Sequence, residues 1–178
     1  PPKIIEENIS EEGTIKYLVE IESGSMVEMV VIPEKTRRTL CVSSQAGCAL
    51  QCTFCATGAQ GFDQDLKSSE IVGQLWLANF HAKDSKPITN IVFMGMGEPL
   101  LNFDAVIESA KIMKDQLAYG LSRKRVTIST SGIVPNIDRL SQEIDVSLAI
   151  SLHASENKLR DQIVPINKKY PIESLLKS

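Results

Sequence analysis

The first pattern along the chain is a pair of short runs rich in strand-forming residues, which predict a β-hairpin. The runs cover residues 14–22 and 26–32, and residues 23–25 (Ser-Gly-Ser) between them are typical of a turn. Pro33 ends the second run, because proline has no backbone N–H to donate within a sheet. We therefore expect residues 1–38 to form a hairpin extension that precedes the main fold.

Beyond this extension, apolar runs of strand length alternate with runs in which hydrophobic residues recur at helical spacing. The predicted elements are, in chain order, a strand at 39–43, a helix from 68 to about 83, a strand at 88–94, a helix from 103 to about 118, a strand at 125–129, a helix at 135–143, a strand at 146–151 and a helix at 156–163. This alternation is typical of parallel βα units. The sequence therefore predicts an α/β fold with about four parallel βα units in residues 39–178, half the number that a closed eightfold barrel needs.

Every segment with unusual chemistry follows one of these predicted strands. The segments are a cysteine-rich loop at 48–55, a glycine-rich turn at 95–99 and two polar segments at 129–132 and 151–154. Because the active sites of parallel α/β proteins lie at the carboxyl ends of the strands, we expect all four segments to meet at one edge of the sheet.

Three cysteines with C-x3-C-x2-C spacing, Cys48, Cys52 and Cys55, form the most informative of these segments. Three thiolates can hold three irons of a cubane cluster and leave the fourth iron open to a substrate. A zinc site would need a fourth ligand, and neither His81 nor His153 lies at zinc-finger spacing. Closely bunched cysteines also do not suit a disulfide scaffold, and they indicate a reducing compartment such as the cytoplasm. The residues favour an open iron–sulfur cluster, with a zinc site or three core cysteines as the alternatives.

The other strand-end segments have residues suited to ligand binding, but each also has a simpler interpretation. The glycine-rich turn 95–99 lets the backbone approach a ligand, and Glu98 can accept a hydrogen bond from an ammonium group, although a tight turn would have the same composition. The hydroxyls of Ser129 and Ser151 can reach a ribose or a carboxylate, or simply cap their strands. His153 is a candidate base, hydrogen-bond donor or packed core residue.

Two further residues are candidates for acid–base or thiol chemistry. Glu28 lies within the apolar run 26–32, where a carboxylate has a raised pKa and can accept a proton, but strand alternation favours a side chain that faces solvent. Cys41 lies seven residues before Cys48 and is either a buried structural thiol or a redox-active one, with the spacing favouring the structural role.

Composition and charge narrow the class of protein without identifying a partner. The chain is 43% hydrophobic and 23% charged, which is ordinary for a globular domain, and no apolar run approaches the roughly 18 residues of a membrane span. We therefore expect no membrane partner and a cytoplasmic location. The net charge of −3 does not indicate nucleic-acid binding, although basic residues cluster at 35–38, 123–125 and 168–169 and could contact phosphates.

Five segments closely resemble the RlmN/Cfr family of radical S-adenosylmethionine (SAM) methyltransferases, in particular the enzymes that methylate C2 of adenine in 23S rRNA and tRNA. They are residues 40–48 (LCVSSQAGC), 93–100 (FMGMGEPL), 126–132 (VTISTSG), 148–154 (LAISLHA) and 160–168 (RDQIVPINK). The resemblance implies a partial barrel of six units, four of which lie in this chain. It also implies a [4Fe–4S] cluster on Cys48, Cys52 and Cys55, with SAM at the open iron. The positions that match the family's SAM contacts are Gly97, Glu98, Ser129, Ser151, Leu152 and His153.

The resemblance also implies roles for the two remaining candidates. In this family a methyl group passes through a methylated cysteine near the carboxyl terminus, and radical addition suits adenine C2 because that carbon is electrophilic. Cys41 matches the thiol that then forms a disulfide with the methyl-carrying cysteine, and Glu28 matches the base that removes the C2 proton.

The implied partners are 23S rRNA, tRNA and an electron donor such as flavodoxin. The family's amino-terminal RNA-binding domain, late methyl-carrying cysteine and late SAM-binding asparagine have no counterpart in these 178 residues. We therefore expect the chain to be an internal fragment that cannot methylate RNA by itself. A methyltransferase acting at adenine C8, or another radical SAM enzyme such as a glycyl-radical activase, is the alternative.

Overall fold

The computed structural model describes residues 2–81 and 86–178, so the predicted helix end near Lys83 lies outside the described residues. The strands are β1 (Lys3–Ile9), β2 (Ile15–Glu20), β3 (Met26–Pro33), β4 (Arg38–Cys41), β5 (Gln45–Gly47), β6 (Phe62–Asp65), β7 (Asn90–Phe93), β8 (Val126–Thr130) and β9 (Ser147–Ile150). The helices are α1 (Ala56–Gln60), α2 (Ser68–Phe80), α3 (Phe103–Lys114), α4 (Val134–Glu143), α5 (Asn157–Ile163) and α6 (Ile172–Leu175), with 3-10 turns at Arg123–Arg125 and Pro165–Lys168.

Seven of the strands form one open sheet in the order β1-β2-β3-β4-β7-β8-β9. The first three strands and β4 pair antiparallel, whereas β4, β7, β8 and β9 are parallel to one another. The four parallel strands are the four strands of the predicted βα units, so the α/β fold expected from the sequence is confirmed. Helix α3 ends at Lys114 instead of near Ala118, because the Asp115 carbonyl accepts hydrogen bonds from the N–H groups of Ala118 and Gly120 and turns the chain.

The predicted hairpin is β2 and β3, and the structure adds β1 as a third antiparallel strand. Strand β1 was not predicted, because this edge strand buries almost nothing: Ile5 and Ile9 are 51% and 64% exposed, so no hydrophobic face marks it. The pairing of β3 with β4 makes the extension continuous with the parallel strands in a single sheet.

One face of the sheet packs against helices and contains the core. Leu40, Ile91 and Ile128, from three neighbouring parallel strands, are fully buried there, together with Ile71 of α2 and Val106 of α3. These hydrophobic positions supply most of the apolar burial that stabilises the fold.

The opposite face of the sheet, called the inner face below, is only partly covered. A continuous row crosses it, in which Val30, Cys41, Val92, Thr127 and Ser147 are paired from strand to strand. All five are partly exposed, so a ligand or another segment can approach this face at the level of Cys41. None of the helices within the described ranges is long and apolar enough to span a membrane.

Candidate functional site

A cavity of about 590 Å³ opens where the parallel strands end, and all four predicted segments contribute to its wall. Every residue predicted to bind a cofactor or a metal lines it: Cys48, Cys52, Cys55, Gly97, Glu98, Ser129, Ser151, Leu152 and His153. The structure therefore brings together residues that are up to 105 positions apart, from Cys48 to His153. The two catalytic candidates, Glu28 and Cys41, are not among the lining residues.

The cysteine loop is closed at its base by a small hairpin that the sequence analysis did not predict. Strand β5 pairs antiparallel with β6, and the Cys48 N–H donates to the Gly61 carbonyl at 2.9 Å. Gly47 has a φ of +73°, and a Cβ atom at this position would lie 1.9 Å from the Gly61 oxygen. Only glycine fits here, which explains why a glycine directly precedes the first cysteine.

The three loop thiols are free, and burial raises the pKa of two of them. Cys48 and Cys52 are buried, and Cys55 is partly exposed. Burial raises the pKa of the Cys48 thiol, and burial also raises the pKa of Cys52, which a hydrogen bond with the Ser131 side chain partly offsets. Because thiolates are the ligands of iron–sulfur clusters, loading the loop has to release these protons.

The donor set of this loop fits a cluster by its chemistry. Within residues 2–81 and 86–178, no group of three or more His, Cys, Asp or Glu side chains stands ready to hold a metal ion. Three unpaired thiols on one short loop, all lining one cavity, are nevertheless the donor set that a cubane with one open iron requires.

Glu98 is fixed in place at the back of the cavity. Its side chain is buried, and its two carboxylate oxygens accept hydrogen bonds from the N–H groups of Leu100 at 3.1 Å and Ser131 at 2.7 Å. Burial raises the pKa of this carboxyl, against the effect of these hydrogen bonds. The preceding Gly97 has a φ of +95°, and a Cβ atom there would lie 2.5 Å from the Gln45 side chain, so this turn also needs glycine.

His153 lines the cavity and packs against the cysteine loop. Its ring lies 4.0 Å from the Phe54 ring, centroid to centroid, with 41° between the ring planes. Its φ of +57° is in the left-handed region, and it is the one residue other than glycine with positive φ in the described part of the chain. Such backbone strain is concentrated at functional sites, which supports a ligand-binding role for this segment.

Arg160, on α5, is a residue of this site that the sequence analysis did not single out. It is fully buried and donates hydrogen bonds to the carbonyl oxygens of Ser131 at 2.6 Å and Leu152 at 3.0 Å. An arginine on a short helix normally indicates a solvated face, so its sequence position alone carried no signal of burial.

Glu28 lies beside this site, with a half-exposed side chain. Its carboxylate pairs with Lys16 at 2.9 Å, and its side chain is 46% exposed, as strand alternation favours. Its backbone carbonyl accepts a hydrogen bond from the Ser43 hydroxyl, which follows β4, so Glu28 lies at the same edge of the sheet as the cavity.

Cys41 lies just beneath the cavity on the inner face. Burial raises the pKa of its thiol to about 11, although a hydrogen bond with the Met94 backbone opposes the shift, and Met94 lines the cavity. The thiol of this partly exposed residue is therefore protonated at neutral pH.

Comparison with known proteins identifies the class. The family model of the radical SAM superfamily matches residues 42–177, so the chain belongs to the radical SAM superfamily. This confirms the superfamily expected from the sequence.

Individual relatives agree with this class. The chain is 59% identical to the dual-specificity RNA methyltransferase RlmN of Pseudomonas putida strain W619 and 58% identical to that of Pseudomonas entomophila strain L48. The matches cover 100% and 99% of this chain but 48% of each relative, so the chain spans about half the length of these proteins. A crystal structure of a radical SAM methyltransferase from Sphaerobacter thermophilus superposes with a TM-score of 0.95 at 41% identity, over 99% of this chain and 53% of that one.

The close contact at Gly47 predicts that this position does not tolerate a side chain. We expect Gly47→Ala to lower the free energy of unfolding by about 2 kcal/mol more than Gly24→Ala, as measured by urea titration. Both substitutions place alanine at a positive φ, but nothing lies within 4 Å of a Cβ atom at Gly24. Equal losses in the two variants would show that the Gly61 contact imposes no constraint.

The raised pKa of Cys41 predicts slow alkylation of the folded protein. In a variant with serine at positions 48, 52 and 55, we expect the rate of iodoacetamide labelling to rise about tenfold per pH unit from pH 8 to 10. The same chain unfolded in urea should level off above about pH 9, because an unperturbed thiol titrates near there. A folded-state profile that also levels off near pH 9 would show that the fold does not raise the pKa of this thiol.

Proposed function

We propose that this chain is the catalytic core of a radical SAM RNA methyltransferase that methylates C2 of an adenine in 23S rRNA and in tRNA next to the anticodon. The observation that carries the proposal is the convergence of three free thiols, a buried carboxylate and polar strand ends on one cavity. The RNA substrate comes from the likeness to dual-specificity RNA methyltransferases.

In this proposal Cys48, Cys52 and Cys55 hold a [4Fe–4S] cluster through their thiolates. When bound, the cluster and SAM together supply the reductive cleavage that starts radical chemistry. The thiols require a reducing environment, which is consistent with a cytoplasmic location and an electron donor such as flavodoxin.

The remaining cavity residues bind and orient SAM. The Glu98 carboxylate is held by the backbone N–H groups of Leu100 and Ser131 and by the side chains of Thr130 and Ser131. It lies next to Gly97 in the cavity wall, where its charge attracts the positively charged SAM amino group. The hydroxyls of Ser129 and Ser151 suit the ribose, and the segment of Leu152 and His153 suits the adenine, because it presents a side-chain ring to the cavity.

Cys41 and Glu28 act in later steps of this proposal. Cys41 loses its proton, and its thiolate attacks the sulfur of the methyl-carrying cysteine once that sulfur is joined through the transferred carbon to the RNA base. The sulfur–sulfur bond forms as the sulfur–carbon bond breaks, and the methylated adenine leaves with the electron pair. Glu28 accepts the adenine C2 proton, which requires its carboxylate to exchange the Lys16 ion pair for the base.

The proposed domain arrangement rests on the likeness to the dual-specificity RNA methyltransferases. Residues 1–38 form the strand extension and residues 39–178 the first part of the barrel, and the remaining units continue from the edge of β9. Leu148 and Ile150 on that strand are 42% and 38% exposed, which is consistent with a neighbouring unit covering them.

The test is methylation by a polypeptide that carries these residues together with the flanking segments of its relatives. With unmethylated rRNA or tRNA, SAM and reductant, we expect 2-methyladenosine and 5′-deoxyadenosine. Cys52→Ala should reduce both products to background, because the cluster loses a ligand. Cys41→Ala should still form 5′-deoxyadenosine but release no methylated RNA.

Gln142→Ala, on the exposed face of α4, serves as the matched control and should retain both products. The finding of 8-methyladenosine, or of 5′-deoxyadenosine without any methylated RNA, would refute the proposed reaction.

A further inference from the structure

Arg160 is the most deeply buried charged residue next to the cavity. Its side chain is 0% exposed and donates to the carbonyls of Leu152, Ser151 and Ser131, at 3.0, 3.3 and 2.6 Å. A fourth hydrogen bond, at 2.8 Å, goes to the Asn167 side-chain oxygen. The guanidinium thus joins α5 to the ends of β8 and β9.

The hydrogen bonds of Arg160 all go to neutral groups, so its positive charge has no direct counterion among the described residues. Among the described residues, no carboxylate forms an ion pair with Arg160. Asp161 is held one side chain away, because Asn167 accepts from Arg160 and donates to Asp161 at 2.6 Å. A buried cation without a counterion is costly, and a nearby negative charge that these hydrogen bonds do not supply would offset that cost.

The cysteine loop offers that negative charge. The carbonyl of Ser131 accepts from Arg160, and the Ser131 side chain hydrogen-bonds to Cys52, so a single residue separates the guanidinium from a thiol ligand. Three thiolates around a cubane cluster bring negative charge to this point, and one-electron reduction adds more. A fixed cation stabilises the reduced form more than the oxidised form.

We propose that Arg160 is a positioning residue that holds the ends of β8 and β9 and, through its buried charge, raises the reduction potential of the cluster on Cys48, Cys52 and Cys55. This inference rests on the proposed function, because it requires the cluster. In this proposal Arg160 controls how easily the cluster accepts an electron, and Arg160 itself does not contact SAM or RNA.

The experiment is a redox titration of the reconstituted protein, followed by EPR. At the potential where the wild type is half reduced, we expect Arg160→Gln to raise the ratio of oxidised to reduced cluster about tenfold, which is about 59 mV towards negative potential for one electron. Arg160→Lys keeps the charge and should stay within about threefold of the wild type. Arg123→Gln removes an exposed arginine at the opposite end of β8 and should change nothing.

A charge swap keeps the test decisive if Arg160→Gln does not fold. In the double variant Asn167→Asp with Asp161→Asn, the net charge is unchanged and a carboxylate replaces the amide beside the guanidinium. The same direction of shift is expected, because this carboxylate compensates the cation.

The outcomes distinguish a failure of the proposed function from a failure of the role of Arg160 alone. A wild type that binds no cluster would overturn the proposed function and the role of Arg160 with it. A cluster-loaded wild type whose potential equals that of Arg160→Gln or of the charge swap would overturn the role of Arg160 alone. A merely structural role predicts equal potentials in Arg160→Lys and Arg160→Gln at equal iron content.

Discussion

This cavity depends on buried polar side chains that form hydrogen bonds with the backbone at the strand ends. The Gln74 amide of α2 both donates to and accepts from the Ser43 backbone, at 2.9 Å in each case. The Asn102 amide donates to the carbonyls of Ser44 and Leu66 at 2.8 and 2.7 Å. An unpaired buried group costs about 1–3 kcal/mol, so these contacts strongly favour one path of the backbone after β4.

The same kind of hydrogen bonding extends from the sheet to the residues of the cavity wall. The Gln45 side chain accepts from the Glu98 N–H at 2.8 Å, and Glu98 in turn accepts from Ser131. Every buried side-chain nitrogen and oxygen within the described ranges has a hydrogen-bond partner. The cavity wall is therefore organised before a ligand enters, which lowers the entropic cost of binding.

The sequence predicted the parts of the fold that depend on local pattern. The four parallel strands were recognisable because each is a short apolar run followed by a helix, and the motifs could be placed at one edge because carboxyl ends of parallel strands coincide. The exposed strand β1 and the short hairpin of β5 and β6 carry no such pattern. Arg160 is buried where it donates hydrogen bonds to carbonyls 8 and 29 positions away in the chain. Hydrophobic periodicity reflects local spacing and therefore does not predict such contacts.

The central claim is that three thiolates of one loop hold a cluster whose fourth iron is open to SAM. Mössbauer spectroscopy of the chain reconstituted with ⁵⁷Fe tests it most directly. The account predicts four irons per chain and, on addition of SAM, a changed signal from one iron in four. A zinc-loaded chain, or four irons whose signals are the same with and without SAM, would contradict it.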